Sequence, residues 1–395
     1  MTPRRDWLRR ALGAAGASAL GLPLAPRPGL AAPGAVPATG LPHGAGPAMR
    51  RGLNLTHWFE YERGQSVSPG EMRALHALGF DHVRLPVDPV VCGWKPVVDH
   101  PLPFLAELRQ ALDDLLAAGL DVVVDLHLEP SDKERIEASA HGQAAVVSLW
   151  SRLSRELAVL PVERVAIELF NEPQFYGAAA GQWPSFQRRM LEAVRAQAPR
   201  HRVLLSGNQG GSVEGLQRLV PLRDAAVAYV FHYYAPYLFT HQGAHWMDTR
   251  WSTAGLHHGV RYPAALQRAQ PARLSRPHPR AAQEMAEYLQ QDWGPARIAR
   301  EIQVAGDWAR RHGVALVCNE FGVLRASADA QSRYRWIGDV RRSLEAEGIG
   351  WALWDYTDIF GITVESNQPN RRGARTIEPQ ALAALGRTPA PLAQR

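Results

Sequence analysis

The chain has 395 residues, 46% apolar and 21% charged, the balance of a globular protein with a sizeable core rather than of a disordered or membrane-embedded one. Its formal charge of +6 would suit a polyanionic partner, but Arg4, Arg5, Arg9, Arg10 and Arg27 against Asp6 supply four of the six positive charges. Nucleic-acid binding therefore loses its main support.

The N-terminal segment continues from these arginines into a weakly apolar run, Ala11 to Ala25, and then to small residues around Leu30-Ala31-Ala32 and Val36-Pro37-Ala38. This is the layout of a signal peptide, and Arg4-Arg5 ahead of Trp7-Leu8 resembles the twin-arginine export signal. The run falls short of the roughly 20 apolar residues of a membrane span and contains Gly and Pro, so no stable membrane anchor is expected. A periplasmic or secreted protein is expected instead. Residues 1–38 are assigned to the signal and its cleavage region, 39–48 to a linker, 49–385 to one folded domain and 386–395 to a tail. Cys92, in a predicted loop, and Cys318, in a predicted strand, read as free thiols. The 15 His show no metal-ligand spacing, so no metal and no cofactor are expected, and a monomer is the simplest assembly.

From Met49 onward, short apolar runs alternate with longer amphipathic stretches. The runs are 52–55, 82–87, 121–128, 165–172, 202–207, 227–234, 315–321 and 349–356. Helical periodicity fills most intervals, as at 69–78, 103–118, 144–160, 184–198 and 295–311, and Gly79 and Gly119 stand where left-handed helix caps are expected. Strands without polar alternation, separated by helices, predict an α/β fold with a parallel sheet. Eight such units suit a closed (β/α)8 barrel of the TIM type, a single domain. One connection, after the sixth strand, is about 60 residues long. Its Trp246, Trp251, Tyr262 and Trp293 suggest a cleft wall, while its Pro- and Arg-rich middle, 269–280, reads equally as a segment without fixed structure.

In such a barrel the reacting groups project from the carboxyl ends of the strands. Nearly every predicted end here is polar: Arg84 on the second strand, His127 on the third, Asn171-Glu172 on the fourth, His232-Tyr-Tyr234 on the sixth, Asn319-Glu320 on the seventh and Trp354-Asp on the eighth. A lone buried Arg–Glu pair would read as a salt bridge closing the barrel. Six polar ends converging on one mouth read as a site.

The ordered set Arg51-Gly-Leu-Asn-Leu55, Arg84, His127, Asn171-Glu172-Pro173, His232 with Tyr234, Glu320-Phe-Gly322 and Trp354 resembles the motif series of glycoside hydrolase family 5, the cellulase family, over about residues 49–360. Leu128 stands where that family often has a second His, which bears on substrate preference more than on chemistry. The resemblance implies hydrolysis of β-linked glucan with retention, most simply as an endo-β-1,4-glucanase, with Glu172 as acid/base and Glu320 as nucleophile about 5 Å apart. Arg84 and Tyr234 would keep Glu320 ionised, while desolvation and the charge of Glu320 would keep Glu172 protonated. Asn171 would hold the sugar 2-hydroxyl and Trp354 would lie beneath the sugar. His127 and His232 would support the site. Trp58, Trp94, Trp183 and Trp246 are open between flanking subsites and plain core packing. The competing activities are a β-mannanase, another hemicellulase or an exo-β-glucosidase of the same family, a non-catalytic polysaccharide-binding barrel, and a metal-dependent hydrolase.

Overall fold

A computed structural model describes residues 46–247, 252–269, 271–365 and 375–387. The signal-peptide reading and Trp251 fall outside them. Eight strands, β1 (Arg51–Asn54), β2 (His82–Val87), β3 (Asp121–Leu126), β4 (Val165–Glu168), β5 (Arg202–Ser206), β6 (Val227–Tyr233), β7 (Leu316–Phe321) and β8 (Gly350–Leu353), pair in parallel, and β8 pairs with β1 to close the barrel. The predicted barrel is the observed one. Six of its strands end earlier than the sequence pattern suggests, most of all β4, which stops four residues short of Glu172, while β2 and β7 end where expected.

The helices α1 (Pro69–Ala77), α2 (Leu105–Ala117), α3 (Pro130–Glu137), α4 (Ala140–Leu157), α5 (Trp183–Gln197), α6 (Val213–Gln217), α7 (Pro295–His312) and α8 (Ala330–Ala346) lie between or around these strands. Local chemistry marks their ends. Ser68 and Glu71 form a reciprocal capping box at α1, and Ser139 and Asp329 cap α4 and α8. Gly79 and Gly119 adopt φ of 84° and 92° just past α1 and α2, as their positions predict.

The pleat sorts the strand residues into two populations. Val122, Val124, Ile167, Val203, Leu205, Tyr229, Phe231, Leu316 and Cys318 join the core under the helices. Val123, Ala166, Leu204, Ala228, Val230, Ala315 and Val317 meet Met49 in a separate apolar cluster inside the barrel. Along each strand toward its carboxyl end the inward positions turn polar, giving Arg84 on β2, Asp125 and then His127 on and beyond β3, and Glu168 on β4.

On β7 the alternation is broken. Phe231 pairs with Cys318 but His232 pairs with Glu320, so Asn319 is an extra residue against β6. This bulge changes the parity of the strand. Asn319 and Glu320 both face the inner network, and Phe321 returns to the outer core.

The long connection after β6 is built rather than loose. It contains the helix Tyr237–Thr240, the helix Ala281–Gln290 and a two-stranded ribbon of His257–His258 with Arg273–Leu274, so part of the Pro- and Arg-rich middle is strand. The cleft-wall expectation holds for only part of it. Tyr262 is fully buried with its hydroxyl on Asp339, and Trp293 is buried beside Arg297. The arm from Tyr237 to Met247 is the part that reaches the mouth.

Candidate active site

Arg84 organises the mouth. Its guanidinium is fully buried and binds Glu168 through two nitrogens (2.7 and 2.8 Å), Asp125 (2.9 Å), Glu320 (2.6 Å), and the side-chain oxygens of Asn54 (3.0 Å) and Asn171 (2.9 Å). A planar fork of five donors suits such a crowd of acceptors, and the acceptors offset much of the cost of burying the cation. Asn319 and Asn54 close the ring: Asn319 Nδ2 donates to Glu168 (2.8 Å), and Asn54 Nδ2 donates to the Asn319 carbonyl (3.0 Å).

Glu320 is 4% exposed, and Tyr234 donates to its other oxygen at 3.0 Å. Glu172, by contrast, keeps 31% of its side chain accessible and sits on backbone with φ of 44° just beyond β4. His232 lies between the two. Its Nδ1 is 2.9 Å from a Glu172 oxygen and 3.3 Å from a Glu320 oxygen, and one atom each from Glu172, His232 and Glu320 fall within 4.8 Å of one another. This is the only such three-residue group among the described residues that offers metal-ligand atoms. A cation there would compete with Arg84 for Glu320.

The electrostatics differ from the expectation in one respect. Desolvation does push the Glu172 carboxyl up, but the hydrogen bond and charge of His232, with Lys133 behind, outweigh it and hold Glu172 well below the usual carboxylate range. His232 moves the other way. Burial lowers it, but Glu320 and Glu172 together raise it. Both shifts favour a proton on His232 over one on Glu172, because a neighbouring imidazole is a better base than a carboxylate it can pair with.

His127 is buried and pushed down to about 3 by desolvation and by Arg84, so it is neutral. Its Nδ1 lies 2.8 Å from Asp125 and its Nε2 accepts from Asn171 at 3.1 Å, which fixes the tautomer. Its ring stacks on Trp354 at 5.3 Å. Trp354 and Trp246 both pack against the cluster of Tyr234, Met247, Leu324 and Phe360. Trp94 and Trp183 are core residues, 2% and 1% exposed. Trp58 is 8% exposed, stacks on Phe59 and borders a small recess with Arg63, Gly64, Ser66 and Glu107, a lining that shares no residue with the mouth.

Several groups escaped the sequence reading. Asp125 and Glu168 are charges inside apolar strands, and that incongruity was their signal. Tyr61, on the loop after β1, sits edge-on 6.2 Å from His127 and is 37% exposed. Lys133 and Glu137 lie in a charge-rich stretch between the third apolar run and the helical stretch 144–160, where the sequence pattern marks no element. Cys92 and Cys318 are buried free thiols.

A closed parallel barrel whose mouth sets two carboxylates face to face over a buried arginine defines a barrel glycoside hydrolase. The chain belongs to glycosyl hydrolase family 5, the cellulase family, whose model matches residues 49–359. It is 27% identical over 337 residues to endoglucanase C of Acetivibrio thermocellus, covering 82% of this chain and 95% of that one. Cellodextrinase A of Ruminococcus flavefaciens is 23% identical over 316 residues, covering 76% and 83%. The solved structure of a hyperthermophilic endo-β-1,4-glucanase with substrate superposes with a TM-score of 0.69 at 22% identity, covering 86% and 97%. Among the described residues no helix is long and apolar enough to cross a membrane.

Proposed function

We propose that the chain cleaves β-1,4-linked glucan at internal linkages with net retention, Glu320 acting as nucleophile and Glu172 as general acid and then base. One observation carries the reading: a Glu172 oxygen and a Glu320 oxygen lie within 4.8 Å. Retaining enzymes hold their two carboxyl groups about 5–5.5 Å apart, and inverting ones about 6.5–9.5 Å. The endoglucanase relative supports glucan as the polymer.

In the first step Glu320 attacks the anomeric carbon, the glycosidic C–O bond breaks, and its electron pair leaves on the oxygen that takes a proton from Glu172. That proton reaches Glu172 from His232 along the 2.9 Å contact as the sugar displaces water from the cleft. In the second step Glu172 takes a proton from water, and the resulting hydroxyl displaces Glu320 from the sugar. Asn171, held through its oxygen by Arg84, holds the 2-hydroxyl. Trp354, fixed from one side by His127, is the platform, and Trp246 extends the wall.

Proton NMR of the first-formed sugar tests the stereochemistry, with β-anomer expected; α-anomer as first product ends the retaining assignment. Digestion of carboxymethylcellulose, mixed-linkage glucan, mannan and xyloglucan tests the polymer, with a rapid fall in glucan viscosity expected. Preference for mannan would make the chain a mannanase on the same chemistry. Glu320→Ala should lower kcat on the order of 10⁴- to 10⁶-fold while leaving binding measurable. Unchanged turnover would remove Glu320 from its role.

A monomer is the simplest assembly, testable by sedimentation. The reading of residues 1–38 as a twin-arginine signal supports export, and exchange of Arg4-Arg5 for Lys-Lys should trap the precursor inside the cell. Normal export of that variant would argue for the unfolded-chain route.

A further inference from the structure

The helix α3 does not belong to the regular alternation of the barrel. It is an extra eight-residue turn of chain between β3 and α4, and its start is pinned where the Glu129 N–H donates to Asp88 at 2.6 Å. Four of its residues are buried, and three of those, Asp132, Lys133 and Glu137, are ionisable. Burying a lysine or glutamate is unfavourable unless each finds partners, so an apolar face would be the easier way to dock such a helix. Asp132 pairs with Arg135, and what Lys133 and Glu137 touch is the main chain around Glu172.

Lys133, 4% exposed, donates from Nζ to the Glu172 carbonyl at 2.8 Å. Glu137, one turn on and 9% exposed, accepts from the Gln174 N–H at 2.8 Å. Between these two points Pro173 has no N–H, and its carbonyl accepts from Gly210 at 3.0 Å. Every polar main-chain group from the Glu172 carbonyl to the Gln174 N–H is therefore held. This matters because Glu172 has φ of 44°, a conformation that is strained for a non-glycine residue and persists only where its surroundings over-determine it.

We infer that Lys133 and Glu137 are positioning residues: a pair at i and i+4 on α3 that grips the Glu172–Gln174 main chain from both ends and so aims the Glu172 carboxyl at the leaving oxygen. The inference rests on the reading of Glu172 as acid/base. The ammonium of Lys133 also adds to the positive surroundings that keep the resting Glu172 ionised.

A misaimed general acid slows departure of a poor leaving group and spares a good one that needs no proton. The test compares kcat/KM for cellotetraose, whose leaving group is a sugar, with kcat/KM for 2,4-dinitrophenyl β-cellobioside. Lys133→Met should lose about 10- to 100-fold on cellotetraose and less than about 3-fold on the aryl glycoside. Lys133→Arg, which keeps a cationic donor, should recover most of the loss. Glu137→Leu should behave like Lys133→Met, and Glu137→Gln, which keeps an acceptor oxygen, should stay near the parent. The Glu137 pair provides the measurement should Lys133→Met fail to fold. Equal losses on both substrates, no loss on either, or no recovery in Lys133→Arg would overturn the inference. Glu172→Gln in the same assay separates the two levels. Equal loss on both substrates there sinks the acid/base reading and the inference with it. Selectivity in Glu172→Gln without selectivity in Lys133→Met sinks the inference alone.

Discussion

The floor and the mouth of the barrel use the same inward positions of the same strands in opposite ways. On the floor, Val123, Ala166, Leu204, Ala228, Val230, Ala315 and Val317 close over Met49 with no polar side chain among them. Two residues further along, β3 carries Asp125 in place of Val123, β4 carries Glu168 in place of Ala166, and β6 carries His232 in place of Val230. The floor is held by volume, and its members are replaceable by others of similar size. The mouth is held by mutual charge and hydrogen bonding around one guanidinium, where each member depends on the rest. Pairs of substitutions should therefore couple more strongly in the mouth, where partners are shared through one guanidinium, than on the floor.

Arg84→Met breaks this comparison most severely. It leaves Asp125, Glu168 and Glu320 without their shared cation, and removing one partner of a buried ionic network costs about 3–5 kcal/mol. Urea unfolding should show that loss together with near-complete loss of turnover. Leu204→Ala on the floor should cost about 2–5 kcal/mol in the same unfolding assay but leave kcat/KM within about 2-fold at a temperature where the variant is folded. A comparable loss of activity would mean that the floor also tunes the mouth.

The loop after β1 sharpens the comparison through pH. Glu60 is buried beside His57, Asp355 and Asp358, and desolvation pushes it from 4.5 up to about 8. The folded state thus favours its protonated form. The associated stability is fully present below about pH 4.5 and is lost as pH climbs through 8. Glu60→Gln should flatten that part of the stability profile, measured by thermal melts across pH 4 to 9. An unchanged slope would assign the dependence to other groups. The smallest effect belongs outside both regions. Arg51 and Glu345 pair across 3.0 Å with side chains 44% and 28% exposed, and Glu345→Gln should change stability by less than about 1 kcal/mol.

The fold was readable because its signal is repeated. Eight apolar runs separated by amphipathic stretches constrain one another, and an error of a few residues at the end of β4 changes nothing in the topology. The polar strand ends were readable for a related reason: an arginine at 84 or a glutamate at 320 inside an apolar run is anomalous by itself. Protonation was not readable. Whether Glu172 or His232 holds the proton depends on a 2.9 Å contact between residues 60 positions apart, which no local pattern reports. Lys133 and Glu137 were missed because a charge-rich stretch looks solvated, and only the packing shows that these two side chains face inward. Trp58 illustrates the converse, an aromatic near the mouth in sequence that packs into the core.

The extra residue in β7 sets a limit on how this chain can tolerate change. Were β7 to pair regularly with β6 while keeping Asn319, Asn319 would stand opposite His232, and the pleat would then carry the neighbouring carboxylate outward among the helices and swing a phenyl ring into the catalytic chamber. Hydropathy and composition are the same in either register. A slip of β7 by one residue against β6 is thus enough to abolish the chemistry while sparing every residue that performs it.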